Sequence, residues 1–175
     1  MFGVAQMLKH FATKMGDTAN RLTELVQQII SLSRLQDADP LNDAAAVDIS
    51  WAVKSAVDQS QTNAEARGIF ISLDADVVAN VFGDREQLVM ALHNLIENAI
   101  NYSPEKTKVI ISVRVSEKLV EIVVKDQGIG IAERDQERIF ERFYRVDPAR
   151  SRETGGTGLG LSIVKHVVAN HGGDI

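Results

Sequence analysis

The chain has 175 residues, 45% of them hydrophobic and 25% charged, with a formal net charge of −5 and no cysteine. That length and apolar content suit one packed domain with an appendage; the acidic balance argues against sequence-independent nucleic-acid binding, and the lack of cysteine excludes disulfides and thiolate chemistry. No segment approaches the roughly 18 apolar residues of a membrane span and no signal-peptide pattern opens the chain, so this stretch is read as cytosolic.

Residues 4–36 contain no Pro and one Gly, with apolar residues at Val4, Leu8, Phe11, Met15, Leu22, Leu25, Ile29 and Leu32. With Thr18 in the polar slot, the steps alternate four and three, which predicts a coiled-coil-like helix expecting a partner helix. "DADPLNDAAA", Asp37 to Ala46, breaks the pattern and reads as a linker. "VDIS" predicts a short strand, with Ser50 capping a helix from Trp51 to about Arg67, which Gly68 stops in a left-handed conformation. Trp51 reads as core. "IFISLD" and "NVFGD" predict two more strands. Asp84 opens a long helix with Gln87 as its capping-box partner, Leu88, Leu92, Leu95, Ile96 and Ala99 as the core stripe, and Pro104 as the stop. Val109–Val115 and Leu119–Lys125 are β-branched runs joined by "SEK", a hairpin pattern. Residues 126–157 read as a long functional loop around a short charged helix, followed by a last helix from Gly158 to about Asn170. The order predicts an α+β two-layer sandwich, a mixed sheet with helices on one face, preceded by the long helix.

Three constellations carry chemistry. "GGTGLGLSIVK", Gly155 to Lys165, opens a helix with clustered glycines, which can turn unpaired N–H groups and the positive end of the helix dipole toward a phosphate. A flexible turn with a helix cap is the alternative. It is neither a Walker loop, since no Lys-Ser or Lys-Thr follows Gly160, nor a dinucleotide fingerprint, since Ile163 stands where the third glycine belongs. "DQGIGI", Asp126 to Ile131, puts a carboxylate at a strand end beside two glycines, suited to an amino group on a flat ring such as adenine, or to a simple Asx turn. "HNLIENAINYS", His93 to Ser103, places Asn94, Glu97, Asn98 and Asn101 at i, i+3, i+4 and i+7, a polar stripe whose oxygens can hold Mg²⁺. A solvated helix face is the bland alternative, though such faces favour Lys and Glu over Asn.

Together, and in this order, these stretches resemble the catalytic ATP-binding domain of sensor histidine kinases: "NLIENAINYS" is similar to the family's N box, "DQGIGI" to its first glycine box, "RIFERFYRVD" to its phenylalanine box and "GGTGLGLSIVK" to its second glycine box. The resemblance divides the chain into residues 1–38, part of a dimerisation and phosphotransfer helix pair, a linker at 39–47, and an ATP-binding domain at 48–175. It implies the Bergerat fold, with ATP and Mg²⁺ as cofactors. In that reading Asp126 receives the adenine amino group and Gly128, Gly130 and Ile131 floor the base. Asn98 coordinates Mg²⁺, while Asn94, Asn101 and Tyr102 lie near the nucleotide. Gly156, Thr157, Gly158, Leu159, Gly160 and Leu161 enclose the triphosphate with Arg145 as a clamp, Arg150 being a second candidate. Many family members carry Lys at the place of Asn101. The other arginines of the loop, Arg134, Arg138 and Arg142, read as solvated ion pairs with its glutamates, and Phe140, Phe143 and Tyr144 as anchors of the loop.

Related ATPases of gyrase, mismatch-repair and chaperone type use a glutamate one turn before the magnesium asparagine to activate water. Here that place is Asn94, which cannot act as a base, while Glu97 points about 100° further round and could polarise a nucleophile. Phosphoryl transfer is therefore favoured over hydrolysis. The family's phosphoacceptor motif is absent, and His10 lacks its neighbours, so the acceptor histidine is expected on another helix. A closing strand hairpin is expected beyond Ile175. Implied partners are that histidine-bearing helix, a response regulator receiver domain, and a second copy through the N-terminal helix. A non-catalytic nucleotide-binding or dimerisation scaffold and a hydrolysing ATPase of gyrase or chaperone kind are the competing functions.

Overall fold

The computed structural model describes residues 2–36, 41, 43–75, 77–146 and 156–175. The first helix, α1, is Phe2–Arg34. Then follow β1 (Ala45–Asp48), α2 (Ile49–Ala66), β2 (Phe70–Asp74), β3 (Asn80–Gly83), α3 (Arg85–Tyr102), β4 (Lys108–Val115), β5 (Val120–Lys125), two short 3-10 turns at Glu133–Asp135 and Arg138–Phe140, and α4 (Gly160–Asn170). β1 begins at Ala45, within the stretch read as linker. The short charged helix expected in the loop is the pair of 3-10 turns.

The strands form two ribbons. β2 runs parallel to β4, which pairs antiparallel with β5, while β1 and β3 pair antiparallel apart from them. Along β4, Val109, Ile111 and Val113 are buried and the residues between them lie open or half-open. The register sets Ile71 and Leu73 beside Val109 and Ile111, and Ile122 and Val124 opposite Val113 and Ile111. Since strand side chains alternate in direction, this apolar set shares one face. α2 and α3 pack against that face through Val53, Ala56, Leu92, Ile96 and Ile100. The other face carries exposed Phe70 and the exposed Arg114–Glu121 pair, at 3.6 Å.

α3 serves two cores at once. Leu92, Ile96 and Ile100 join the sheet cluster, while Ala91, Met90 and Leu95 turn to a second cluster built with Leu159, Ile163, Val164 and Val167 of α4. The predicted stripe is thus wider than one face, and Leu95 belongs to the second core. Leu32 and Leu35, at the end of α1, complete that cluster, and Leu25 packs against it. Part of the heptad seam therefore finds its partner within the chain. Leu8, Phe11, Met15, Leu22 and Ile29 remain exposed, and the side chain of Val4 lies outside the described set. Thr18, the polar slot, donates its hydroxyl to the Lys14 carbonyl one turn back.

Two local expectations change. Asp48, not Ser50, caps α2: its carboxylate accepts from the Trp51 N–H. Ser50 is already helical, and its hydroxyl lies 2.7 Å and 2.6 Å from the carbonyls of Ala75 and Val77, which its single proton serves in turn. Trp51 is 39% exposed rather than core, with the Arg85 guanidinium 3.4 Å above its ring. Gly68 does stop α2 with φ of +64°.

Asp84 caps α3 as its sequence predicts, accepting from the backbone N–H groups of Glu86 and Gln87. Gln87, however, bonds the Asp84 carboxylate, not its backbone. The Asp84 N–H instead donates to Nε2 of His171, whose Nδ1 in turn faces the Val167 carbonyl at 2.7 Å. The carbonyl can only accept and the N–H can only donate, so the ring is neutral with its proton on Nδ1. His171 thereby pins the end of α4 to the start of α3, and the Cδ2–Nε2 edge of its ring abuts Gly83. A Cβ at Gly83 would collide with that edge. Gly83→Ala should displace the imidazole and lose its hydrogen bond, lowering stability by about 1–3 kcal/mol. A urea midpoint equal to that of the native chain would refute this account of the junction.

Candidate functional site

The site residues converge where the C-terminal half of α3, the N-terminus of α4 and the loop after β5 meet. Asp126 lies directly after β5 and is exposed. One carboxylate oxygen accepts from the Gly128 N–H at 2.7 Å, an Asx turn, and the other makes no hydrogen bond among the described residues. Gly128 has no room for a side chain: a Cβ there would lie 2.7 Å from the Asp126 carboxylate and 2.8 Å from the Tyr102 carbonyl. The glycine thus brings the first glycine box against the end of α3. Gly130 adopts φ of +69°, and Ile131 beside it is exposed.

The polar stripe of α3 divides between its neighbours. Asn94 donates to the Met90 carbonyl at 2.8 Å, which turns its side-chain oxygen toward α4. A Cβ on Gly160 would come within 2.7 Å of that oxygen. Glu97 turns the other way and accepts from Asn63 of α2 at 2.7 Å, so one of its oxygens is committed to holding two helices together. Asn98 is half-buried and its amide makes no hydrogen bond among the described residues. At Asn101 the carbonyl accepts from Arg67, a cation capping the negative end of α3.

The second glycine box is clasped by the phenylalanine box. Phe143 donates its N–H to the Gly158 carbonyl at 2.8 Å. Both have positive φ, +62° for Phe143 and +76° for Gly158, and a Cβ on Gly158 would lie 2.9 Å from the Phe143 Cα. The expected anchoring by aromatic side chains is only partly what occurs. Phe140 is half-buried with the Lys165 ammonium 5.7 Å from its ring, and Tyr144 donates to buried Asp135 at 2.6 Å, but the Phe143 ring is exposed and its backbone does the holding. Donation to the Asp135 carboxylate pushes the Tyr144 phenol above its ordinary range. Arg138 stacks on Tyr144, and its contact with Glu141 at 3.6 Å is a solvated surface pair.

Thr157 accepts from the N–H of Leu159, the residue that precedes the first turn of α4, and donates to Gln28 of α1, so the glycine box closes a turn on itself. Leu159 is fully buried in the second core, whereas Leu161 is half-buried. Arg145 reaches the same place: one guanidinium nitrogen is buried without a partner among the described residues, and a Cβ on Gly156 would lie 3.8 Å from it. Gly155 and Arg150 lie outside the described residues. Gln28, Asn63 and the Phe143 backbone carried no signal in the sequence, because a partner across the fold, unlike a helix period, has no fixed spacing.

A groove of about 560 Å³ lies around Trp51, Arg85, Met90 and His93. It sits toward the other end of α3, a helix about 26 Å long, away from the glycine boxes. No helix among the described residues is long and apolar enough to cross a membrane, and no His, Asp or Glu cluster there could hold a metal.

Residues 83–175 match the family model described as histidine kinase-, DNA gyrase B-, and HSP90-like ATPase. The chain is 52% identical over 168 residues to the sensor-like histidine kinase SenX3 of Mycolicibacterium smegmatis, covering 96% of this chain and 44% of that protein. Among solved structures, the mycobacterial sensor histidine kinase MprB superposes with a TM-score of 0.64 at 30% identity, over 74% of this chain and 80% of its own. The full-length ShkA complex with AMPPNP gives 0.77 at 26% identity, over 94% of this chain and 34% of its own. The chain spans less than half the length of the curated SenX3 relatives it matches.

The geometry separates two glycines that look alike in sequence. Gly158→Ala places its Cβ against backbone and in the left-handed region, whereas Gly160→Ala meets only the end of the Asn94 side chain. Gly158→Ala should cost about 1–3 kcal/mol, and Gly160→Ala less. Chemical denaturation of the pair checks the order, and an equal or reversed order contradicts the Phe143–Gly158 clasp.

Proposed function

This chain belongs to the histidine kinase-, DNA gyrase B-, and HSP90-like ATPase family, on its sensor histidine kinase side, and we propose that its cleft binds Mg-ATP and passes the γ-phosphoryl group to a histidine outside these residues. The observation that carries this reading is the Arg145 guanidinium nitrogen, buried beside the second glycine box without a partner among the described residues. Asp126 keeps one carboxylate oxygen free of hydrogen bonds beside Gly128, and the half-buried Asn98 amide makes none, in each case among the described residues. Buried donors without partners are costly, so a cation left unpaired beside a glycine box supports an anionic ligand there.

Asp126 receives the adenine amino group, with Gly128, Gly130 and Ile131 beneath the ring. Asn98 is the side chain for Mg²⁺, which when bound would neutralise charge on the phosphates. Arg145 and the amides of Gly156 to Leu161 hold the phosphate oxygens, and Asn94, Asn101 and Tyr102 border the nucleotide. Asn94, an amide bonded to its own helix, cannot take a proton from water, which supports transfer over hydrolysis. Glu97, read from the sequence as polarising a nucleophile, keeps one oxygen free of Asn63 for that task. Residues 1–38, 39–47 and 48–175 stand as phosphotransfer helix, linker and ATP-binding domain. The exposed apolar residues of α1 pair with a second copy, and a response regulator receiver domain takes the phosphoryl group onward.

Asp126→Ala and Asn98→Ala should each weaken Mg-ATP binding at least tenfold by calorimetry, with Asn98→Ala losing most of the magnesium dependence. Unchanged affinity in both variants excludes the site. Labelled ATP mixed with a separate histidine-bearing helix pair should yield acid-labile phosphohistidine and little free phosphate. Steady phosphate release without an acceptor would instead favour a hydrolysing ATPase, and no labelling a scaffold.

A further inference from the structure

The C-terminal third of α1 lies along α4 and is held from both ends of that helix. Leu25, Leu32 and Leu35 pack on the second core, Asn170 donates to the Leu35 carbonyl at 3.0 Å, and at the other end Thr157 donates to the Gln28 side-chain oxygen at 2.5 Å. Positions 25, 28, 32 and 35 follow a helical repeat, so Gln28 is the polar member of the docking face. It is half-buried, while its neighbours Val26 and Ile29 are exposed.

Thr157 sits in the second glycine box and has one hydroxyl proton. Gln28 takes that proton, and the hydroxyl oxygen takes the N–H of Leu159, the residue before the first turn of α4. Neither group is then free for a phosphate oxygen. We infer that Gln28 is a positioning residue of the nucleotide cleft: it acts through Thr157, holding the box in a self-closed form, so that docking of α1 and phosphate binding compete for the same proton and the same N–H. This rests on the reading that the glycine box holds the phosphates of ATP. Linkage makes the competition reciprocal, so bound nucleotide loosens α1 as much as docked α1 weakens nucleotide binding.

The test is a cycle of Gln28→Ala, Thr157→Val and the double variant in the 175-residue chain, with Mg-ATP affinity measured by calorimetry. Alanine is the strongest helix former, so Gln28→Ala does not threaten α1. A hydrogen bond of ordinary net worth predicts that Gln28→Ala binds between about two- and tenfold tighter than the native chain. In the Thr157→Val background the same change should have no effect, a non-additivity that a general loosening of α1 would not produce. Hydrogen exchange across residues 25–35 should quicken when Mg-ATP is added to the native chain. Unchanged or weaker binding by Gln28→Ala, or equal tightening with and without the Thr157 hydroxyl, overturns the inference and leaves the cleft standing. Absence of Mg-ATP binding by the native chain removes the cleft, and the inference with it.

Discussion

The close approach of α4 to α3 is the constraint on which this molecule depends. It exists because Gly160 has no side chain where the Asn94 oxygen lies, and because Gly158 can take a left-handed conformation against the Phe143 backbone. From that approach follow the second core, the burial of Leu159 and Ile163, and the meeting of the N-terminus of α4 with the polar half of α3. At the far end of the same pair, His171 abuts Gly83 and holds the Asp84 N–H. The two helices are fixed at both ends by glycines that let a side chain in.

Stability and function draw on the same residues in different proportions. Asn94 and Glu97 look alike as polar residues on a helix, yet each commits a side-chain atom to holding structure: Asn94 to its own helix beside α4, Glu97 to Asn63 of α2. Asn98, the residue after Glu97, commits none among the described residues. Buried polar groups are normally satisfied, and the Arg145 guanidinium nitrogen is buried without a partner among the described residues.

α1 belongs to both halves of the molecule. Its C-terminal turns help close the second core, so the helix is part of the ATP-binding fold as well as an arm with an exposed apolar seam. A seam of period 3.5 forecasts a partner without naming it. Here Leu25 and Leu32 meet α4 of the same chain, while Leu8, Phe11, Met15 and Leu22 remain exposed.

By itself the sequence determined what is local or periodic: the Asp84 cap, the Gly68 stop, the β4–β5 hairpin, and the glycine boxes whose spacing carried the family resemblance. These depend on a residue's own conformational range or on neighbours a few positions away. Only the tertiary structure decided that Asp48 rather than Ser50 caps α2, that Trp51 is a surface platform for Arg85, that Phe143 holds Gly158 by its backbone, and that Gln28 reaches Thr157 across 129 positions. Each of those outcomes is a competition among partners brought together by packing. A residue's type shows what it can bond to, and its distance through space, set by the two cores, decides which bond is made.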